Sequence, residues 1–380
     1  MPQSLDIQLR NESNSGDIFA YITGLALQRN SARVLLKSDG RGLYYPENPP
    51  KLLVPLAEDC AIPLGPPGNV VTVHIPQMAG GRIWFSSGGK LKFLLNPSPA
   101  GAALVEPSVL NPSDPNANID FAFAELTLNN DQLFANISYV DFVPRLPIAL
   151  ALEEPGGGLQ QVAGMASDGL EQVCAKLRAQ AEKDKMPWDK LIVQKKGQPP
   201  LRALSPTHGR GVGARFDGYF EPLVEEVWRK YHCNHGGCSL KIDTQAAPGV
   251  LPGAIEGTNE LVIGGEKFGK PTTADILGCN SGPFATGPSA RRNAIIPRLA
   301  AAFSRGSIVD AEEHPSHPST FYQQGPANHY SRIVHEVTLD GKGYGFAYDD
   351  VQPSGGDDQS GKVNAGNPKA FIVSVGGFAA

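Results

Sequence analysis

Apolar and polar residues alternate with a period of two along much of the first 150 residues. The alternation is most regular at residues 5–9 and 70–75. Similar runs follow at residues 82–85, 91–95, 119–128 and 133–143. Successive side chains of a strand point to opposite faces, so the pattern predicts half-buried β-strands. Clusters of Gly, Pro and Asn separate the runs, which is typical of a β-sandwich or barrel.

The pattern changes after a Pro/Gly tract at residues 155–158, which is a predicted linker. Apolar residues then recur at helical spacing from position 170 to 177, with Ser167 or Asp168 placed to cap a helix. A second helix is predicted from Glu221, with Pro222 in its first turn. A third is predicted over residues 297–305, ending before Gly306. Short strand-like runs lie between them, so this middle portion is predicted to be mixed α/β.

Strand-like runs return from about residue 321, at residues 333–337, 345–348 and 371–375. A β region, an α/β region and a second β region in succession indicate an insertion. We therefore predict a β-barrel or sandwich domain made from residues 1–153 and completed by residues 322–380. A mixed α/β domain of residues 154–321 would be inserted into it.

Composition narrows the range of partners. The formal net charge is −5 and basic residues form no cluster, which excludes nucleic acid as an expected partner. No run approaches the roughly 20 apolar residues of a membrane helix, so no membrane partner is expected either. Residues 1–4 show no apolar signal-peptide region, so we expect a cytoplasmic or non-classically exported protein, or one whose leader has been removed. A monomer is expected. The five cysteines are widely spaced and odd in number, which does not suit a disulfide framework.

One predicted hairpin carries a polar stripe. Its members on one face are Glu125, Thr127 and Asn129 on the first strand and Phe134, Asn136 and Ser138 on the second. By pattern alone, such a face most often contacts water. The alternative is a ligand groove, because carboxylates, amides, a hydroxyl and an aromatic ring are the groups that a sugar site needs. Both interpretations stay open at this point.

Two carboxylates of this region, Glu125 and Asp141, could serve as the acid and the base of a glycosidase. A flat hairpin with a tight turn would separate them by about 13 Å along the strand. That exceeds the roughly 6.5–9.5 Å between the carboxyl groups of an inverting pair. If the two acids share one groove, the sheet must be coiled or bulged between their strands. Glu125 would also need a raised pKa to be protonated at the working pH.

Polar and aromatic residues also cluster near the C-terminus. Tyr330 could stack on a sugar ring, and Asp349 or Asp350 could hold sugar hydroxyls or a cation, or all three could belong to a turn and a strand end. Residues 232–238 contain the residue types of a metal site, but their spacing matches no standard zinc pattern. We predict no metal there, and a Cys233–Cys238 disulfide only in an oxidising compartment.

Several motifs together resemble glycoside hydrolase family 64, the β-1,3-glucanases related to thaumatin-like proteins. They are residues 80–86, residues 104–108, Glu125-x-Thr127-x-Asn129, residues 136–141 and residues 328–335. The version here looks like the fungal branch, and the similarity runs from about residue 18 to residue 377. The resemblance implies a thaumatin-like β-barrel domain, an inserted α/β domain and a wide groove between them.

The resemblance also implies roles for individual residues. Glu125 would be the general acid and Asp141 the general base of an inverting, cofactor-independent attack on β-1,3-glucan, and Thr127 and Asn129 would lie beside the acid. Phe134 stands where bacterial members have Trp, and Ser138 where they have Thr, which puts subsite preference in doubt. The alternative function is a non-catalytic glucan-binding protein of thaumatin-like type.

Overall fold

The computed structural model describes residues 4–232, 239–246, 249–257 and 259–377. Its first strands are β1 (Ser4–Asn11), β2 (Ile18–Ala26), β3 (Ala32–Leu36), β4 (Leu43–Tyr44), β5 (Val54–Pro55), β6 (Ile62–Pro63), β7 (Val70–Pro76), β8 (Met78–Ser87), β9 (Leu94–Asn96), β10 (Ala103–Val105), β11 (Asp120–Leu128), β12 (Leu133–Ile137), β13 (Phe142–Pro144), β14 (Ile148–Glu153) and β15 (Leu159–Val162). Its later strands are β16 (Ile192–Val193), β17 (Arg202–Leu204), β18 (Leu240–Asp243), β19 (Val250–Glu256), β20 (Glu260–Ile263), β21 (Glu266–Phe268), β22 (Glu313–His314), β23 (Lys362–Ala365) and β24 (Ala370–Val375). The helices are α1 (Gly169–Asp184), α2 (Glu221–Lys230), α3 (Thr273–Gly278), α4 (Ala290–Ser304) and α5 (His329–Val337).

Two sheets pack face to face around the main core. One runs β23-β12-β11-β8-β2-β3-β4, with β6 beside β2, and the other runs β15-β14-β24-β1-β7. Inward side chains of both sheets belong to one buried cluster, among them Ile7, Ile83, Ala124 and Val373. Alternate residues of each strand point into this cluster, as the period of two predicts. The mainly β character predicted for the first 150 residues is therefore confirmed.

The last two strands join sheets built from the beginning of the chain. Strand β24 lies parallel to β1 and antiparallel to β14, and β23 pairs with β12. The residues between β15 and β23 form the five helices and two small sheets, one of which also includes β13. The domain boundaries at residues 153 and 321 stay a prediction.

The outer face of the larger sheet carries a second apolar cluster, rich in aromatic rings. Trp84 on β8 packs on Phe123 of β11 with ring centroids 4.9 Å apart, and Phe142 closes the cluster from β13. The indole N–H of Trp84 donates to the hydroxyl of Thr23 at 3.2 Å, so this buried polar group is satisfied. By the period of two, the residues that follow on this face are polar, and the candidate site begins where the aromatic cluster ends.

Strand β8 contains a β-bulge next to this point. On β11, Glu125 pairs with Arg82 and Leu126 with Gly81, but Leu128 pairs with Met78, so β8 holds one extra residue. A Cβ on Gly81 would lie 2.9 Å from the backbone oxygen of Leu126, which leaves room only for glycine. The Gly80-Gly81 pair is thus a bulge inside a strand rather than a turn between strands.

Two of the three predicted helices begin where expected. Helix α1 follows Asp168, and α2 starts at Glu221 with Pro222 in its first turn. The third prediction is wrong at its start, because α4 begins at Ala290 rather than at residue 297. The hydroxyl of Ser289 accepts a hydrogen bond from the Arg292 N–H and caps the helix there.

Residues 333–337, predicted as a strand, form the end of helix α5 instead. The side chain of Asn328 accepts a hydrogen bond from the backbone N–H of Ser331 and starts the helix. Its buried residues are Tyr330, Ser331, Ile333, Val334 and Val337, which recur at the spacing of a helix. Residues 345–348 form no strand but lead into a turn, whereas the strand predicted at residues 371–375 is confirmed as β24.

Three cysteines, Cys60, Cys174 and Cys279, are buried free thiols. Cys233 and Cys238 lie outside the described residues, and so does most of the segment considered above for a metal. In the part of the chain that the structure describes, no three His, Cys, Asp or Glu side chains come together as ligands for a metal ion. None of the helices formed by these described residues has the length and apolar character needed to cross a bilayer.

Candidate active site

Glu125 lies on the outer face of β11, directly opposite Asn136 of β12. Its side chain is 37% exposed, and its Oε1 accepts a hydrogen bond from Arg82 Nη2 at 3.2 Å. Arg82 projects from the neighbouring strand β8, and its other terminal nitrogen forms an ion pair with Glu106, just after β10. One guanidinium therefore holds two carboxylates.

The Arg82 guanidinium packs against the rings of the aromatic cluster. The Arg82 guanidinium carbon lies 4.7 Å from the centroid of the Phe123 ring and 5.5 Å from that of Trp84. A cation over the face of an aromatic ring is attracted to the ring's negative quadrupole. The position of Arg82 is thus fixed by two carboxylates beside it and two rings beneath it.

A groove of about 480 Å³ opens around these groups. Its walls are Leu25, Arg33, Gly80, Gly81, Arg82, Leu104, Glu106, Glu125, Leu126, Thr127, Phe134 and Asn136. Thr127 faces Phe134 across the β11–β12 pair, in the same relation as Glu125 to Asn136. The structure therefore brings together Glu125, Thr127 and Phe134, three of the residues that the sequence predicted for one site.

Asp141 lies beyond the end of β12, outside the sheet. The β11–β12 ladder keeps one register from Ala124↔Ile137 to Leu128↔Leu133, so no bulge lies between these strands, and coiling of the sheet, the other predicted possibility, stays a prediction. After β12 the chain departs, with Ser138 bridging to Tyr344, and it bends at residues 140–141 before entering β13. Asp141 therefore lies on a bend that follows the β11–β12 ladder.

A histidine from a distant part of the chain binds Asp141. His208 Nε2 lies 2.8 Å from Asp141 Oδ1, and the Asp141 side chain is 46% exposed. This hydrogen bond is the main reason that the pKa of Asp141 lies below its ordinary value, and the charge of Arg82 lowers it further. Asp141 is therefore an ionised carboxylate with access to solvent.

Arg82 also connects the two carboxylates electrostatically. It donates a hydrogen bond to Glu125, and its charge is felt by Asp141. The two acids come from different elements, one inside the sheet and one on a bend beyond it, yet both lie within the field of one cation. Acid–base cleavage of a glycosidic bond needs two carboxyl groups; Glu125 lines the groove, and Asp141 is within the electrostatic reach of the same guanidinium.

Asn129 and Ser138 take up positions at the two ends of the polar stripe. The Asn129 side-chain oxygen accepts hydrogen bonds from the N–H groups of Asp131 and Gln132, both at 2.9 Å, and so shapes the hairpin turn. Ser138 follows Asn136 on the same face and is half-buried. Contacts of either residue with a sugar stay a prediction.

The predicted stacking of Tyr330 on a sugar is wrong. Tyr330 lies in the first turn of helix α5 with its side chain completely buried, and its hydroxyl donates to the backbone oxygen of Tyr139 at 2.7 Å. Burial raises the pKa of this phenol well above its usual value. A ring without an exposed face cannot serve as a stacking platform.

Asp349 is likewise an internal residue, so its predicted contact with sugar hydroxyls is wrong. Its carboxylate accepts hydrogen bonds from Arg305 at 3.1 Å, His335 at 3.0 Å, Ser331 at 3.1 Å and the Gly345 N–H at 2.9 Å. Burial alone would raise the pKa of Asp349, but His335, Arg305 and the Gly345 N–H outweigh it and lower the pKa. We call Arg305, Asp349, His335 and Ser331 the buried ionic cluster.

Asp350, the neighbour of Asp349, is half-buried and lies beside Tyr344. Burial is the main cause that raises the pKa of the Tyr344 hydroxyl, and the charge of Asp350 adds to it. Asp350 is not among the residues that line the groove around Glu125. Its part in sugar binding therefore stays a prediction.

Sequence reasoning missed two residues that the structure places next to the carboxylates. Arg82 lies inside one of the motifs used for the resemblance, and its period-two position relative to Trp84 could have placed it on the same face. His208 gives no such local signal, because it is separated from Asp141 by 67 residues. Only the folded chain brings this pair together.

A family model described as Beta-1,3-glucanase, glycoside hydrolase family 64, matches residues 3–375. Curated relatives include a glucan endo-1,3-beta-glucosidase of Arthrobacter sp. (strain YCWD3), 29% identical over 393 residues, and one of Cellulosimicrobium cellulans, 28% identical. Each alignment covers 100% of this chain but only 66% of the relative, so the chain spans just under two thirds of the length of these proteins.

Solved structures that resemble this chain are also β-1,3-glucanases. A laminaripentaose-producing beta-1,3-glucanase in complex with laminaritetraose superposes with a TM-score of 0.85 at 29% identity, covering 98% of this chain and 99% of the other. A beta-1,3-glucanase domain from Clostridium beijerinckii shares the fold with a TM-score of 0.75 at 24% identity and 98% coverage of both chains. The organisms named among these relatives are bacterial, so they lend no support to the fungal branch.

Proposed function

The chain belongs to glycoside hydrolase family 64, the β-1,3-glucanases, and from that premise we propose that it hydrolyses β-1,3-glucan. The observation that carries the proposal is the pair of carboxylates, Glu125 and Asp141, which share the influence of Arg82, with Glu125 lining the groove. The identity of the curated relatives, both named glucan endo-1,3-beta-glucosidase, supports the substrate class.

In the proposed reaction Glu125 is the general acid and Asp141 the general base. Glu125, in its protonated form, gives its proton to the glycosidic oxygen as the bond to the anomeric carbon breaks. Asp141 takes a proton from a water molecule, whose oxygen forms the new bond to that carbon from the opposite face. One proton is given by Glu125 and one is taken by Asp141, so the proposed reaction needs no cofactor. The anomeric configuration is inverted.

The state of Asp141 suits its part in this scheme. A general base must be ionised and reachable by water, and Asp141 has a lowered pKa and a half-exposed side chain. Thr127, Phe134 and Asn136 line the groove beside Glu125 and would contact the sugar rings. We further propose a thaumatin-like barrel with an inserted domain, since the C-terminal strands β23 and β24 complete sheets that begin with the N-terminal strands.

Laminarin, a soluble β-1,3-glucan, tests the proposal. The wild-type protein should release reducing ends, and the first product should carry the α-anomeric configuration by proton NMR. Glu125→Gln and Asp141→Asn should each lower kcat by at least about 100-fold, the usual contribution of a general acid or base. Glu153→Gln is the matched control, because this carboxylate lies on β14 of the other sheet and pairs with Lys369.

Near wild-type turnover in Glu125→Gln or Asp141→Asn would remove the assignment of that residue. A first product in the β-configuration would point to retention and exclude Asp141 as an inverting base. Tight binding of laminarin by the wild-type protein with no new reducing ends would favour a glucan-binding protein over an enzyme.

A further inference from the structure

Three contacts close a ring between Asp141 and His208. The backbone N–H of Ser205 donates to the backbone oxygen of Asp141 at 2.9 Å, and the N–H of His208 donates to the oxygen of Ser205 at 2.9 Å. The ring closes through the side chains, where His208 Nε2 lies 2.8 Å from Asp141 Oδ1. The carboxylate and the imidazole are thus held by the same short piece of backbone.

That piece of backbone is itself anchored on both sides. Strand β13, immediately after Asp141, pairs with β17, with Phe142 opposite Leu204, so the Asp141–Ser205 hydrogen bond continues this ladder. The turn that follows begins at Pro206, and its Thr207 hydroxyl donates to the backbone oxygen of Leu277 at the end of α3 at 3.0 Å. His208 therefore has little freedom to move away from Asp141.

The consequence for Asp141 concerns the torsion about its carboxylate. This torsion has a broad energy minimum, and a side chain that is 46% exposed has little packing to restrict it. An ionised carboxylate only accepts hydrogen bonds, so the ring proton of His208 must be on Nε2. Once His208 holds Oδ1, Oδ2 has no hydrogen-bond donor among the described residues and is left for water.

We propose that His208 is a positioning residue for the general base, which fixes the carboxylate of Asp141 so that one oxygen accepts the proton of the attacking water. The assignment rests on the proposed function of Asp141. It adds a residue of the 202–212 segment to a site whose other members come from the large sheet and the bend after it. His208 acts through Asp141 and needs no contact with the sugar.

The charges around Asp141 set the expected pH dependence. The groups that face it are His208 from the 206–212 turn, Arg82 from β8 and the neutral phenol of Tyr330 from α5. Among the stabilising contacts the His208 hydrogen bond is the largest, and it keeps the base ionised to lower pH. Its loss should move the acidic limb of the kcat profile to higher pH, because Asp141 would then be protonated earlier on acidification.

Two substitutions that preserve polarity and approximate size test the idea. In His208→Gln the amide nitrogen can occupy the place of Nε2, so kcat and the acidic limb should stay close to those of the wild type. In His208→Asn the shorter side chain cannot reach that place, and kcat should fall about 10- to 100-fold, as misplacement of a reacting group does, with KM little changed. Thermal unfolding of both variants monitors the fold.

His74→Asn supplies the matched control, because His74 pairs with Asp6 at 2.7 Å on the outside of the smaller sheet. This variant should keep the kcat and pH profile of the wild type. Full activity and an unchanged acidic limb in His208→Asn would overturn the positioning role. An equal loss of kcat in His208→Gln and His208→Asn would also overturn it, and so would a rise in KM with no change in kcat. Inactivity of the wild-type protein on laminarin would instead overturn the proposed function first.

Discussion

Removal of the Asp349 carboxylate should destabilise the fold without altering the active site directly. Asp349 is completely buried, and the Arg305 side chain that it pairs with is only 2% exposed. In Asp349→Ala the guanidinium keeps its hydrogen bonds to the backbone oxygens of Val351 and Asp349 but loses its counter-charge. The Ser331 hydroxyl, the His335 ring and the Gly345 N–H lose their acceptor at the same time.

The size of the effect follows from this burial. Breaking a buried pair by removing one partner costs about 3–5 kcal/mol, because the remaining charge is neither hydrated nor compensated. The exposed pair of Asp6 with His74 gives the comparison, since Asp6 is 69% exposed and such pairs contribute about 0–1 kcal/mol. Asp349→Ala should therefore lower the free energy of unfolding several times more than Asp6→Ala.

The cluster should also give the stability a defined pH dependence. Asp349 has a lowered pKa, so its contribution is present above its ordinary value of 3.8 and is lost as the pH falls through its folded value. His335 has a raised pKa despite burial, because Asp349 is its partner. Its contribution is present below 6.5 and is lost as the pH rises through its folded value. The joint contribution is greatest between these two limits.

Urea unfolding of the wild type, Asp349→Ala, Asp349→Asn and Asp6→Ala at several pH values measures these quantities. Asp349→Asn should flatten the pH dependence, because the amide does not titrate and no longer favours protonated His335. Laminarin hydrolysis below the unfolding transition should retain its KM in every variant. An unchanged free energy of unfolding in Asp349→Ala, together with a raised KM, would refute the reasoning and return Asp349 to the sugar site.

Two further predictions concern aromatic residues. Tyr330→Phe should lower the free energy of unfolding by about 0.5–1.5 kcal/mol, the usual contribution of one hydrogen bond, since only the contact of its hydroxyl with the Tyr139 oxygen is lost. KM for laminarin should not change, and a raised KM would show that the ring contacts sugar after all. Phe134→Trp should lower KM, because the larger ring offers more stacking area in the groove and an indole N–H, and an unchanged or higher KM by initial-rate measurement would place Phe134 outside the sugar contacts.

The sequence predicted well the elements whose conformation is determined by their own residues. The period of two in β1, β7 and β11 reflects a sheet with one face in the main core, and this signal needs no distant partner. Helix α5 shows the opposite case. Residues 333–337 are mostly apolar and β-branched, which suits a strand, and the helix depends on the Asn328 cap and on burial of one face.

The residues of the candidate site also fall into two groups, those that local sequence predicts and those that depend on distant contacts. Glu125, Thr127 and Phe134 follow from strand alternation once a family resemblance singles out the hairpin. The burial of Tyr330 and Asp349 could not be predicted, because composition does not say whether a polar residue has an internal partner. The pairing of Asp141 with His208 depends on the β13–β17 ladder between distant segments, and no local pattern announces such a contact.

The bulge at Gly80 and Gly81 has a consequence for the way this strand can evolve. Met78 and Ile83 both point into the main core although five positions separate them, which strict alternation would forbid. The extra residue of the bulge shifts the inward and outward alternation of β8 by one position, so side chains on both sides of the bulge can face the core. Deletion of one glycine would leave four positions between Met78 and Ile83, which regular alternation satisfies, so both would stay in the core and only the bulge beside Arg82 would be lost.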